Sequence, residues 1–189
     1  MAKTESYMLA LGTAAPDFRL ADFNRKFYSL GDFKDSRAFL VIFMCSHCPY
    51  VIRVREGMVN MIKEYQAKGV AVVGINSNDI DNYPQDGPET MAADAKEYGY
   101  TFPFLFDETQ EVAQAYKAAC TPDFFLFDQE GKLVYRGRMD ASRPENDLPT
   151  TGEELKAAMD AVLENRPVSQ DQKPSLGCNI KWKPGNEPE

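Results

Sequence analysis

The chain has 189 residues, of which 43% are hydrophobic and 26% charged, with a formal net charge of −8. This is length enough for one domain with extensions and a buried core, and the balance is that of a globular protein. Acidity without a basic run argues against a nucleic-acid or anionic-membrane partner, and the longest apolar run, residues 38–44, is far too short to span a bilayer.

The N-terminal residues lack a basic region leading into a signal-type apolar core, so a cytoplasmic protein is expected. Residues 16–20 and 26–30 read as two short strands joined by the turn at 22–25. Residues 38–44 form a near-continuous apolar run, as in a central strand buried on both faces. Val51, Val54, Met58, Met61, Ile62 and Tyr65 then recur at helical spacing, and Gly69 is a natural stop. Residues 70–76 read as a second buried strand. The polar loop 77–87 leads to Pro88 at a helix start.

Asp107-Glu108-Thr109-Gln110 matches a capping box and predicts a short helix from that point. Residues 124–128 and 133–136 read as a hairpin around the turn at Gly131. Thr151 and Glu154 open a last helix. Beyond Glu164 periodicity vanishes, and four of the chain's twelve prolines fall there. The division is thus a domain over 1–165 and an extended tail over 166–189. Leu176, Cys178, Ile180 and the single tryptophan, Trp182, predict that the tail packs on the domain. Strands alternating with helices, then a hairpin, imply an α/β fold with a mixed central sheet of about five strands flanked by helices.

The chemistry lies in Cys45-Ser46-His47-Cys48, between the apolar strand and the amphipathic helix. Four cysteines, at 45, 48, 120 and 178, do not make a disulfide scaffold. Two thiols three positions apart at a helix start suit disulfide exchange. One thiolate attacks, and a second thiol resolves the mixed disulfide. Cys45, at the helix edge, is the expected attacker; Cys48, one turn in, is the expected resolver. A protonated His47 between them would favour the thiolate. Zinc needs four ligands, usually as two close pairs, and here the other cysteines are scattered and His47 is the only histidine. No metal or cofactor is expected. Asn76, Asn78 and Asp79 read as a capped turn, and Asp81, Asp86, Glu89, Asp140 and Glu145 as solvated acidic surface.

The strand, the Cys-x-x-Cys at a helix start and Thr121-Pro122 ahead of a later hairpin resemble the thioredoxin superfamily. Residues 12–20 are similar to the opening of its redoxin (AhpC/TSA) branch. Five segments, at 45–51, 74–79, 83–86, 120–128 and 177–182, resemble the peroxiredoxin-like thioredoxin-fold proteins of bacteria. The resemblance implies a thioredoxin-like fold with an N-terminal β-hairpin. It implies a Cys45/Cys48 redox pair and a cis Thr121-Pro122 loop that faces the pair and positions substrate. The implied activity is thiol-disulfide oxidoreduction on protein or small-molecule disulfides, reset by a thioredoxin-like donor. Homo-oligomer formation is left open.

Aligning Cys48 with a peroxidatic cysteine puts Val41 and Cys45 where peroxiredoxins carry their activating Pro and Thr, which weighs against efficient peroxide chemistry. Thiol peroxidase and a non-enzymatic metal-binding or thiol-chaperone module are the alternative readings. Arg136 or Arg138 could serve as a helper arginine. Cys120, two residues before Pro122, is a candidate third thiol or a small buried hydrophobe. Cys178 either pairs with Cys120, tying the tail over the site, or is inert.

Overall fold

The computed structural model describes residues 3–188. Its elements are β1 (Lys3–Glu5), β2 (Arg19–Asp22), β3 (Phe27–Ser29), β4 (Ala38–Phe43), α1 (Pro49–Gln66), β5 (Val70–Asn76), α2 (Pro88–Glu97), β6 (Phe104–Phe106), α3 (Glu111–Ala115), β7 (Cys120–Thr121), β8 (Asp123–Asp128), β9 (Leu133–Gly137), α4 (Glu153–Leu163) and β10 (Leu176–Asn179).

The main sheet has seven strands in the order β3-β2-β6-β5-β4-β8-β9. The apolar run of β4 lies at its centre, parallel to β5 and antiparallel to β8. Every residue of β4 is buried, because both faces are covered. Side chains alternate between those faces. Leu40, Ile42, Phe124 and Leu126 enter one core, with Val51, Val54, Met58 and Ile62 of α1 and Leu155 and Met159 of α4. Phe39, Val41, Phe43, Phe125 and Phe127 enter the other, with Val112, Ala113 and Tyr116. This fixes the C-terminal end of β4, and hence Cys45, against the start of α1.

Sheet size departs from expectation through β6. This strand has only three residues, between Pro103 and Asp107, too few to show a period. It bridges β5 and β2, so the N-terminal hairpin joins the main sheet. The first hairpin strand also begins later than residue 16, at Arg19. Its turn is closed by Asp22, whose carboxylate accepts the N–H groups of Asn24 and Lys26. The capping box at Asp107 fails as a local helix start. Gln110 takes a left-handed backbone (φ 66°), and α3 begins only at Glu111. Asp107 still caps it from a distance, accepting the N–H of Val112 at 3.3 Å and of Ala113 at 2.9 Å.

A second, three-stranded sheet has the order β1-β10-β7. It joins both ends of the chain to the Thr121-Pro122 loop, with Cys178 opposite Thr121 and Asn179 opposite Cys120. The tail continues as Ile180, buried in the second core, and Trp182, packed against it. Gly177 makes the close approach possible, since a Cβ there would lie 2.0 Å from the Thr121 carbonyl oxygen.

Candidate functional site: a thiol cluster at the start of α1

Pro49 occupies the first position of α1, so Cys48 is its N-cap, with extended backbone (φ −67°, ψ 123°). Proline suits that first position and disfavours the α conformation in the residue before it. Cys48 is therefore not one turn inside the helix, as the spacing suggested, but at its mouth. Cys45 lies farther out, in the loop after β4. Both thiols are buried and free.

Thr121 spans the pair. Its hydroxyl lies 3.6 Å from the Cys45 Sγ, and its carbonyl accepts from the Cys48 thiol at 3.3 Å. The Thr121-Pro122 peptide is cis. Beside Pro122 opens a cleft of about 310 Å³, lined by Tyr50, Pro122, Arg138, Ser142 and Leu176 among others.

The three neighbouring thiols are shifted in opposite directions. The Cys48 thiol is pulled well below the ordinary cysteine range, first because the Cys178 thiol donates to it, then because Cys45 does. The Val51 N–H at the helix start adds to this. Cys45 is pushed up by donating to Cys48, by burial and by the nearby Asp86 carboxylate. Cys178 is likewise pushed up, chiefly because it donates to Cys48.

His47 is held by a residue that sequence reasoning placed on the surface. Asp86 is completely buried. Its Oδ1 accepts the N–H of Ser46 at 3.0 Å and of His47 at 3.1 Å. Its Oδ2 takes the Asn78 side-chain amide at 2.9 Å and lies 2.5 Å from His47 Nδ1, which fixes the imidazole proton on that nitrogen. Asn76 donates to the Asp86 carbonyl at 2.6 Å. Asn78 then accepts the Lys181 N–H at 2.9 Å, tying this network to the tail. Asp79 caps its turn, accepting from Asp81 and Asn82. Arg55, also absent from the sequence reading, donates to the Ser46 carbonyl at 2.8 Å and lies 3.4 Å from Asp94. The available signal for Asp86 was its place in the 83–86 segment. Nothing local distinguished it from its acidic neighbours.

Arg136 and Arg138 do not approach the thiols. Arg136 donates to the Leu9 carbonyl and to Gln172, and Arg138 forks onto Glu154. Cys120 is buried, with its thiol toward the Ser175 carbonyl at 3.9 Å. It opposes Asn179, one step along the strand from the Thr121–Cys178 pair, so its side chain points to the other face of the small sheet. Among the described residues, the group whose ligand atoms could converge on a metal is Cys45, His47 and Asp86, all within 4.8 Å of one another. The oxygens of Asp86 are already engaged by three N–H groups and the imidazole, so a metal there would have to displace hydrogen bonds.

A thiol pair after a central strand, faced by a cis proline and backed by a mixed sheet, defines a thioredoxin-fold thiol protein. The chain belongs to the AhpC/TSA family, whose sequence model matches residues 11–136. It is 31% identical over 130 residues to the thiol-disulfide oxidoreductase ResA of Geobacillus thermodenitrificans, covering 69% of this chain and 70% of ResA. An uncharacterized conserved protein of Geobacillus kaustophilus has a crystal structure similar to this one, with a TM-score of 0.96 and 52% identity over 98% of both chains. A hypothetical protein from Sinorhizobium meliloti matches with a TM-score of 0.95 and 49% identity, over 96% of this chain and all of that one. The tail, outside the family match, is thus shared with these two structures.

Proposed function

We propose that the Cys45/Cys48 pair cycles between dithiol and disulfide as the working centre of a thiol-disulfide oxidoreductase. The observation that carries this is the contact of both sulfurs with Thr121, which sets the thiols against the cis-proline loop. Cys48 is assigned the attacking sulfur, where the sequence expectation was Cys45: its thiol is drawn below the ordinary range chiefly by the Cys178 and Cys45 thiols, and on ionising it gives up its bond to the Thr121 carbonyl. The Cys48 thiolate attacks one sulfur of a substrate disulfide and expels the other as a thiol. Cys45 then attacks Cys48, releases the second half and closes the Cys45–Cys48 disulfide. A thioredoxin-like dithiol donor resets the pair.

Thr121 touches both sulfurs and Pro122 lines the neighbouring cleft where a protein or small-molecule disulfide would lie, and Asp86 holds His47 beside the pair. A bacterial cytoplasmic setting belongs to the same proposal, on the reading of the four scattered cysteines in the sequence. Peroxide reduction is the second reading, favoured by the thiolate on Cys48 and opposed by Val41 and Cys45 at the activating positions.

The test is release of thiol from oxidised glutathione by the reduced protein. Cys48→Ser is expected to lower the rate by at least about 100-fold, while Cys45→Ser still delivers the first thiol. A Cys48→Ser protein that reacts at the unaltered rate would overturn the assignment.

A further inference from the structure

We propose that Cys178 is a third redox thiol of this site, one that resolves adducts on Cys48 and closes a Cys48–Cys178 disulfide between the mouth of α1 and the C-terminal tail. The proposal rests on Cys48 being a working redox thiol, and it goes beyond the two-cysteine cycle.

Three independent placements converge on it. First, β10 pairs with β7 so that Cys178 stands directly opposite Thr121. Directly opposed residues of an antiparallel pair project to the same face. Thr121 puts its hydroxyl 3.6 Å from Cys45, so that face is the one turned to the cysteine pair. Second, the Cys48 thiol donates to the carbonyl of that same Thr121 at 3.3 Å, so Cys48 and Cys178 approach one residue from two sides. Third, Cys45, Cys48 and Cys178 are all buried in the same core, and β10, which carries Cys178, packs against α1. Gly177 permits this closeness, because any side chain there would collide with Thr121. Cys120 lacks all three relations.

The chemistry balances with the substrate as oxidant. A substrate disulfide R–S–S–R′ loses R′S⁻ to the Cys48 thiolate, forming Cys48–S–S–R. Cys178 gives up its proton and attacks the Cys48 sulfur. The bond between Cys48 and the substrate sulfur breaks, RS⁻ leaves, and it takes up the proton. In sum, two protein thiols become one disulfide and one substrate disulfide becomes two thiols. Cys45 remains reduced. Oxidation by this route fastens the tail to α1, whereas the Cys45–Cys48 disulfide leaves the tail uncrosslinked.

The experiment uses the full chain and oxidised glutathione as probe. In Cys45→Ser, Cys178 is the remaining resolver in contact with Cys48. Peptide mass spectrometry after acid quench is expected to show a Cys48–Cys178 linkage, with both glutathione halves released. Cys45→Ser/Cys178→Ser is expected to keep one glutathione on Cys48. Cys45→Ser/Cys120→Ser should behave as Cys45→Ser does. A stable glutathione adduct on Cys48 in Cys45→Ser, or a linkage to Cys120 instead, would overturn the role of Cys178 and leave the Cys45/Cys48 pair standing. Absence of any glutathione reaction at Cys48 in all variants would overturn both readings. A Cys178→Ala version of the double variant guards against a folding effect of serine, since the adduct should persist in it as well.

Discussion

The two sheets do different work. The seven-stranded sheet is held by a double core and carries Cys45 and Cys48 at the end of its central strand. The three-stranded sheet has strands of only three, four and two residues, drawn from the two ends of the chain and the loop between them. Yet it sets Cys178 opposite Thr121 and holds Thr121 across the pair. The large sheet decides that two thiols meet. The small one sets Thr121 and Cys178 beside them.

Substitutions can separate these contributions. The largest effect is expected on the loop that the main sheet positions. Asp86→Ala leaves the buried N–H of Ser46 and the Asn78 amide without their acceptor, at roughly 1–3 kcal/mol for each unsatisfied group. Denaturant unfolding should show that loss, together with a free His47 ring in nuclear magnetic resonance. If stability is unchanged, the network is not holding the loop.

Gly177→Ala should act on the small sheet instead. Its Cβ would meet Thr121 backbone, and overpacking of this kind costs about 1–3 kcal/mol. Hydrogen exchange is expected to rise in β1, β7 and β10 and to stay low in β4 and β5. Uniform acceleration through both sheets would dissolve the distinction.

Asn78→Ala cuts the side chain that links the two regions, through Asp86 on one side and the Lys181 N–H on the other. The expected cost is about 1 kcal/mol per lost bond. A double-mutant cycle with Gly177→Ala should show coupling, and strict additivity would mean that the regions are independent.

The pH dependence carries a sign. Cys48 is depressed in the folded protein, so below the ordinary cysteine value of about 8.5 the unfolded chain binds a proton that the folded state does not. Stability from this group is full above that value and declines as pH falls toward the folded value. Stability of Cys48→Ser compared with the unsubstituted protein between pH 8 and pH 5 should show the decline only in the latter.

How much of this was legible in the sequence follows the same division. The buried run of β4, the helical period of α1 and the clean run of β5 have strong local patterns, and their bounds emerge within two residues. β6, β7 and β10 are too short for a period, and their strand character comes from their partners. For the site, Cys45, His47, Cys48, Thr121 and Pro122 were readable, and the structure gathers them. Pro49 also carried a readable signal, since it excludes Cys48 from the helix. Asp86 and Arg55 act through contacts made only in the fold. Cys178 lies 130 residues from Cys48, and only the strand register brings them together.

The most direct test is thiolate absorbance of the reduced protein as pH is lowered, comparing the unsubstituted chain with Cys48→Ser and Cys45→Ser. A thiolate band that persists well below the ordinary cysteine range, survives in Cys45→Ser and vanishes in Cys48→Ser is the predicted result. A band that titrates near 8.5, or one that depends on Cys45 and not on Cys48, would contradict the account.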